Sequence, residues 1–245
     1  GNPDDPTGRV YSVAEIRHIL ERVPRAILVV DESCCLGCDY SVSQLVREQG
    51  NLIVIRSFSN VMGLGGLPFG FLLTAPDNIG AVNRFQIGRK PPAITQAAAQ
   101  AVLHDLEHIE NRIAKVRENM TYLAVKLRSM GISARITPSD FILIRVAQPE
   151  QVLSFLSGRM IRGIDLSRFP KLDKYIKIPV RDDEYSFRVV DAFDKMPREA
   201  YLMRSVPRTG YFLRRAFEAN APGLIDTVRE GDTGNPCDVD KARLT

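Results

Sequence analysis

The side chains able to do chemistry in this sequence fall into three groups. Asp31 directly follows the apolar run Ala26-Ile-Leu-Val-Val30, and Ser57 and Ser59 sit in Ser57-Phe-Ser-Asn60, just after Leu52-Ile-Val-Ile55. A carboxylate and hydroxyls beyond the carboxyl ends of neighbouring strands face the crevice where α/β sheets gather their ligands. Taken alone, the same residues read as turn caps and turn formers. The second group is the thiols Cys34, Cys35 and Cys38, with Cys237 far away, a spacing that argues for free thiols rather than a disulfide framework. The third is His104 and His108, spaced i, i+4. Neither they nor His18 share a segment with the cysteines, so the sequence predicts no metal site.

The elements that must position these residues follow from periodicity. Ser12-Val-Ala-Glu15 has the form of a capping box ahead of Ile16, Ile19, Leu20 and Val23, which predicts a helix over 13–23. The runs 26–30 and 52–55 read as buried strands of a parallel sheet, joined by a crossover helix over 42–49, and Phe69-Gly-Phe-Leu-Leu73 makes a third strand. From Ala93 to Met130 the pattern is helical, with a break near His104-Asp105 and Gly131 as the C-cap. Strands at 134–137, 141–146 and 175–178 alternate with helices at 149–160 and 183–196, a compact α+β unit. Residues 197–245 carry four prolines and four glycines, which suits a loosely ordered tail with a short helix near 211–219.

The net charge of +4 arises from 33 basic and 29 acidic residues spread along the chain, so no nucleic acid partner is implied. No apolar run approaches the roughly 18 residues of a membrane helix, and the start is not a secretion signal. The expected location is cytoplasmic. The first residue is Gly1 rather than Met, as in a fragment.

Asn2-Pro-Asp-Asp-Pro-Thr-Gly8, Asp31-Glu32 at a strand end, Ser57-Phe-Ser-Asn60 and Gly63-Leu-Gly-Gly-Leu-Pro-Phe-Gly-Phe71 form an ordered series. It resembles the class I/II pyridoxal-phosphate-dependent aminotransferases, most closely the histidinol-phosphate aminotransferase type. Lys90-Pro-Pro92 and Ser139-Asp-Phe-Ile-Leu-Ile-Arg145 continue the likeness to about residue 196. The resemblance implies an α/β fold of type I, truncated at its amino end: part of the large cofactor domain over 1–88, connecting helices over 89–130, and a small α+β domain over 131–196, with 197–245 as the tail. It also implies pyridoxal 5'-phosphate, an amino-acid or amino-acid-phosphate substrate, and a dimer.

Family roles carry over position by position. The aspartate that pairs with the pyridine nitrogen is Asp31, and the phosphate serines are Ser57 and Ser59; these are retained. Five positions are altered. The asparagine that bonds the phenolic oxygen is Asp5, and its tyrosine partner is Cys34. The Schiff-base lysine is Asn60, the phosphate arginine is Pro68, and the arginine for the substrate carboxylate is Lys177. An amide nitrogen is not nucleophilic, so Asn60 leaves no intact catalytic residue for transamination by the usual route. Proline at 68 removes a charge-assisted phosphate contact, Asp5 brings a second negative group to the phenolate, and a thiol is a weak substitute for a phenol. The expectation is a pseudoenzyme with weak or absent cofactor binding. Two alternatives stand beside it: a non-catalytic dimerisation or binding module that pairs with itself or with an intact aminotransferase, and residual cofactor chemistry on another amine, for which Lys90, Lys171 and Lys174 are the nearest candidates. If the ancestral sheet has seven strands, the strand at 26–31 lies at an edge.

Overall fold

The protein is described by a computed structural model over residues 1–37, 39–59, 62–67, 69–85 and 91–203. Cys38, Asn60, Pro68, Lys90 and the expected tail helix lie outside the described residues, as does Cys237. Residues 1–203 form one compact unit containing two sheets.

The capping box forms as the sequence predicts. Ser12 Oγ accepts from the Glu15 amide and Glu15 Oε2 accepts from the Ser12 amide, starting helix α1 (Val13–Arg22). Ile16 and Leu20 of α1 pack on alternate residues of β1 (Leu28–Asp31) and β2 (Leu52–Ser57): Val30, Leu52 and Val54. These two strands are parallel, Leu28 opposite Leu52. The third strand, β3 (Gly70–Thr74), is antiparallel to β2, Ser57 opposite Gly70. Residues 58–69 join the two strands, and among their described residues there is no crossover helix of the kind a parallel neighbour would need.

Two local expectations change. Only Ser43–Arg47 winds, as a 3-10 helix, where an α-helix over 42–49 was expected. The amides entering it are taken by side chains: Val42 N–H donates to Glu32 and Ser43 N–H to Ser41 Oγ, competing with regular helical bonding. The continuous apolar run of β1 also does not mean burial on both faces. Val30 is 4% exposed but Val29 is 50% exposed. One face of the sheet meets α1 and the 3-10 helix, while Val29 and Ile55 on the other face stay open to solvent.

An unanticipated helix, α2 (Pro76–Phe85), follows β3. The predicted break then divides α3 (Ala93–Leu103) from α4 (Leu106–Ser129), and Asp105 caps α4 by accepting from the His108 amide. Gly131 ends α4 in the left-handed region at φ +85°, where only glycine is unstrained. The second sheet comprises β4 (Ser133–Ile136), β5 (Phe141–Arg145), β6 (Ile164–Asp165) and β7 (Tyr175–Pro179), in the order β4-β5-β7-β6 and antiparallel throughout. Between β5 and β6 lies α5 (Pro149–Ser157); α6 (Asp183–Asp194) and α7 (Arg198–Tyr201) follow β7. Here both faces are covered. Ile142, Ile144, Ile176 and Ile178 meet Met120, Leu123 and Leu127 of α4 and Val189 and Phe193 of α6, and Phe141 and Leu143 meet Leu166 behind. Among the described residues, no helix is long and apolar enough to cross a membrane.

Candidate functional site

The Asn2–Gly8 loop is built by its own polar side chains. Asn2, 1% exposed, accepts from Tyr11 N–H through Oδ1 at 2.7 Å and donates through Nδ2 to the carbonyls of Tyr11 and Tyr40. Its amide donates to the Asp31 carbonyl at 2.8 Å, fixing the loop to the exit of β1. Gly8 has φ +67°, and a Cβ there would lie 2.7 Å from Thr137 Cβ. Glycine therefore lets the loop close on the turn that joins β4 to β5.

That closure presents Asp5 to β7. Asp5 Oδ1 lies 2.6 Å from Lys177 Nζ, across 172 residues of sequence. The Lys177 side chain is 13% exposed and Asp5 43%; the ammonium also sits 4.0 Å from the centroid of the Phe141 ring. Cys34 feels the same charges. Burial pushes its thiol above the ordinary range, Asp5 pushes the same way, and Lys177 opposes them. Asp140 belongs to this field as well: burial raises its carboxyl, against its own backbone amide and Lys177.

Asp5, Cys34 and Lys177, expected from the sequence, thus come together, with Asp140 added. Among the described residues, the side-chain hydrogen bonds of Asp31 and Ser57 are local. Asp31, exposed, accepts from the Ser33 amide at 2.9 Å, and Ser57 Oγ accepts from the Ser59 amide at 3.0 Å. Lys171 is exposed with φ +68°, and exposed Lys174 donates to the Ala147 carbonyl. Among the described residues, no group of three or more His, Cys, Asp or Glu is arranged to hold a metal ion.

Sequence reasoning did not single out two carboxylates. Glu32 has a fully buried side chain. Its Oε1 accepts from Val42 N–H at 2.7 Å, and Oε2 accepts from Ser41 Oγ and Arg56 Nε at 2.9 Å each. It ties the exits of β1 and β2 together and holds Arg56, the residue before Ser57. On that side of the sheet a cavity of about 460 Å3 opens between Arg56, Phe71 and the Ile109–Ile113 turn of α4; Asp5, Asp31 and Lys177 do not line it. The signal for Asp140 was an acid directly ahead of the apolar run Phe141–Ile144.

Asp140 gives a pH prediction. A carboxyl whose folded pKa lies above its unfolded value binds protons more tightly when folded, so stability falls as pH rises from the ordinary carboxylate range through the folded value. At neutral pH the group carries a desolvation penalty. Asp140→Asn is expected to raise the melting temperature at pH 7, with a gain that shrinks to nothing as the pH falls to about 4. Melting curves of both proteins across pH 4–8 check this; a gain that grows on acidification contradicts it.

Residues 1–169 match the family model of aminotransferase class I and II. A dihydroxyacetone phosphate transaminase of Campylobacter jejuni is 30% identical over 175 residues, 70% of this chain and 47% of that protein. A histidinol-phosphate aminotransferase of Symbiobacterium thermophilum is 27% identical over 194 residues, 78% of this chain and 54% of that protein. The crystal structure of histidinol-phosphate aminotransferase from Sinorhizobium meliloti in complex with pyridoxal-5'-phosphate superposes with a TM-score of 0.68 at 20% identity. It covers 78% of this chain and 54% of its own, a likeness of fold. The chain spans about half the length of the curated relatives it matches. Its two α/β sheets, the seating of Asn2–Gly8 on Thr137 and the match over residues 1–169 lead to one assignment: this chain belongs to the class I and II aminotransferases, a family whose cofactor is pyridoxal phosphate.

Proposed function

We propose that this chain is a histidinol-phosphate aminotransferase-like protein that no longer carries out transamination by the family's usual route. The observation that carries this reading is the 2.6 Å pair of Asp5 and Lys177. At the position where the family resemblance asks for a guanidinium to grip a substrate carboxylate, the chain offers an ammonium. That ammonium is neutralised by its own carboxylate and stacked on Phe141. A substrate carboxylate would have to displace Asp5 and accept a point charge in place of a bidentate fork.

The donor set does not fit pyridoxal phosphate held as an imine. Asp5, a side chain that accepts from Lys177, stands where a neutral donor to the phenolic oxygen is wanted. Cys34 is a short, weak donor whose proton is held by burial. Position 60 carries an amide and position 68 a proline. Asp31 and Ser57 remain as the retained cofactor positions, with Ser59 beside them. The reading keeps residues 1–88 as part of a large domain, 89–130 as connecting helices, 131–196 as the small domain and 197–245 as the tail, whose first turn, Arg198–Tyr201, packs into the core of residues 1–203.

A second reading, favoured by the open apolar face at Val29 and Ile55, makes the chain a non-catalytic binding module that pairs with itself or with an intact aminotransferase. Turnover separates either reading from an active enzyme. Purified protein with saturating pyridoxal phosphate, 2-oxoglutarate and a panel of amino acids and amino-acid phosphates is expected to release oxo acid only at background. Turnover within about tenfold of an intact relative would overturn the proposal.

A further inference from the structure

We propose that Lys177 and Asp5 join covalently in the folded chain, the lysine Nζ forming an amide bond with the aspartate Cγ as one water leaves. The proposal deepens the reading above and rests on the same pair of side chains. A covalent bond is read by mass and the loss of transamination by turnover, so either can fail alone.

Both reactants are held. Lys177 lies on β7 between Leu143 of β5 and Ile164 of β6, so its backbone is fixed inside the second sheet. Its Nζ rests 4.0 Å from the centroid of the Phe141 ring and 2.6 Å from Asp5 Oδ1. Asp5 is carried by a loop pinned at both ends. Asn2 is tied to Tyr11 and Tyr40, and the Gly8 amide donates to the Asp4 carbonyl at 2.7 Å while Gly8 itself abuts Thr137. The Lys177 side chain is 13% exposed, against 46% for Lys115 paired with Asp183 and 60% for Lys195 paired with Asp191. Those two pairs lie on helix surfaces, where solvated side chains gain little from each other. Lys177 and Asp5 instead meet in one arrangement.

The residue type matters as much as the distance. A guanidinium stays charged and is no nucleophile, whereas an amine that gives up one proton is. The ammonium that grips a substrate carboxylate poorly therefore brings a reactive nitrogen to Asp5. One proton moving along the 2.6 Å hydrogen bond turns the pair into a free amine and a protonated acid. The nitrogen lone pair forms the C–N bond at Cγ, the C–O bond breaks, and the hydroxyl leaves with one amine hydrogen as water. No oxidant, reductant or outside reagent enters. Asp140 interacts with both Lys177 and Asp5, and burial inclines its carboxyl to keep its proton. It can accept the amine hydrogen at one oxygen and hand its own proton to the leaving hydroxyl. Positioned groups react at effective concentrations on the order of 10⁵ M or more, which lets the held amine outcompete water at Asp5, whose side chain is 43% exposed. The product staples residues 5 and 177 together and leaves no cation for a substrate carboxylate.

The test uses the full chain. Intact mass spectrometry should read about 18 Da below the sequence mass, one water lost as the lysine is acylated, and a tryptic digest should contain residues 1–9 joined to residues 175–181. Ring closure of an aspartate onto the following backbone N–H loses the same mass, but Pro6 offers Asp5 no N–H. Lys177→Arg and Asp5→Ala should each show the full mass of their sequences. The Lys115 and Lys195 pairs, in the same digest, should stay unlinked. Asp140→Asn should reach the parent's end point about tenfold more slowly when samples are taken after a pulse of synthesis; an equal rate would overturn the part given to Asp140. Full mass in the parent, or a loss of water that maps anywhere but to 5 and 177, would overturn the proposal.

Discussion

Glu32→Ala is expected to destabilise the folded chain by about 3–5 kcal/mol, the range for breaking a buried ion pair from one side. The carboxylate it removes is fully buried and serves three groups: the Val42 amide, the Ser41 hydroxyl and the Arg56 guanidinium, whose side chain is 17% exposed. Nothing in an alanine replaces these acceptors, and water reaches the guanidinium only partly. Glu32→Gln keeps one carbonyl acceptor and should cost less. Urea unfolding should show a lower midpoint at an unchanged slope; a loss below about 1 kcal/mol would mean that the sheet does not depend on this junction.

The second large effect concerns reversion. Asn60→Lys alone is expected to leave oxo-acid release at background, because groups that act as a unit are strongly non-additive. The new amine would still sit in a site where Asp5 neutralises Lys177, Cys34 stands for a phenol and Pro68 carries no charge. Reverting all five positions together, with Asp5→Asn, Cys34→Tyr, Asn60→Lys, Pro68→Arg and Lys177→Arg, should tighten pyridoxal phosphate binding about a thousandfold or more, each restored charge-assisted contact supplying about 1.5–3 kcal/mol. Equilibrium dialysis of the cofactor against parent, single and fivefold variants reads this directly. Equal affinity of the single and fivefold variants would show that the other four positions do not matter.

How much could be read in the sequence depended on how local each signal was. The Ser12–Glu15 box, the break at His104-Asp105 and Gly131 after α4 are each set within a few residues, and all three form as the sequence predicts, the break closed by an Asp105 cap that the sequence reading did not name. The antiparallel turn of β3 is a property of the whole sheet, which an apolar run does not encode. The same run misled at β1. Val29 is as apolar as a two-sided strand requires, yet only the even-numbered face finds a helix layer. β5, with an equally continuous run, is covered on both faces because α4 and α6 lie on one side and Leu166 on the other. At the candidate site, Asp5, Cys34 and Lys177 emerged from the family resemblance, not from spacing. No local pattern links residue 5 to residue 177. The Glu32 network escaped notice because an acid beside Asp31 looks like any solvated turn residue until Arg56 and Val42 are brought against it.

The most direct measurement is reductive trapping. The protein is incubated with sub-millimolar pyridoxal phosphate, reduced with borohydride, digested and mapped by mass spectrometry, with absorbance followed throughout. With the site's ammonium committed to Asp5 and an amide at position 60, no imine band should appear and no lysine should carry a stoichiometric adduct. A single lysine modified to one equivalent, whether Lys177, Lys171, Lys174 or Lys90, would contradict the account and identify the amine that keeps the site alive.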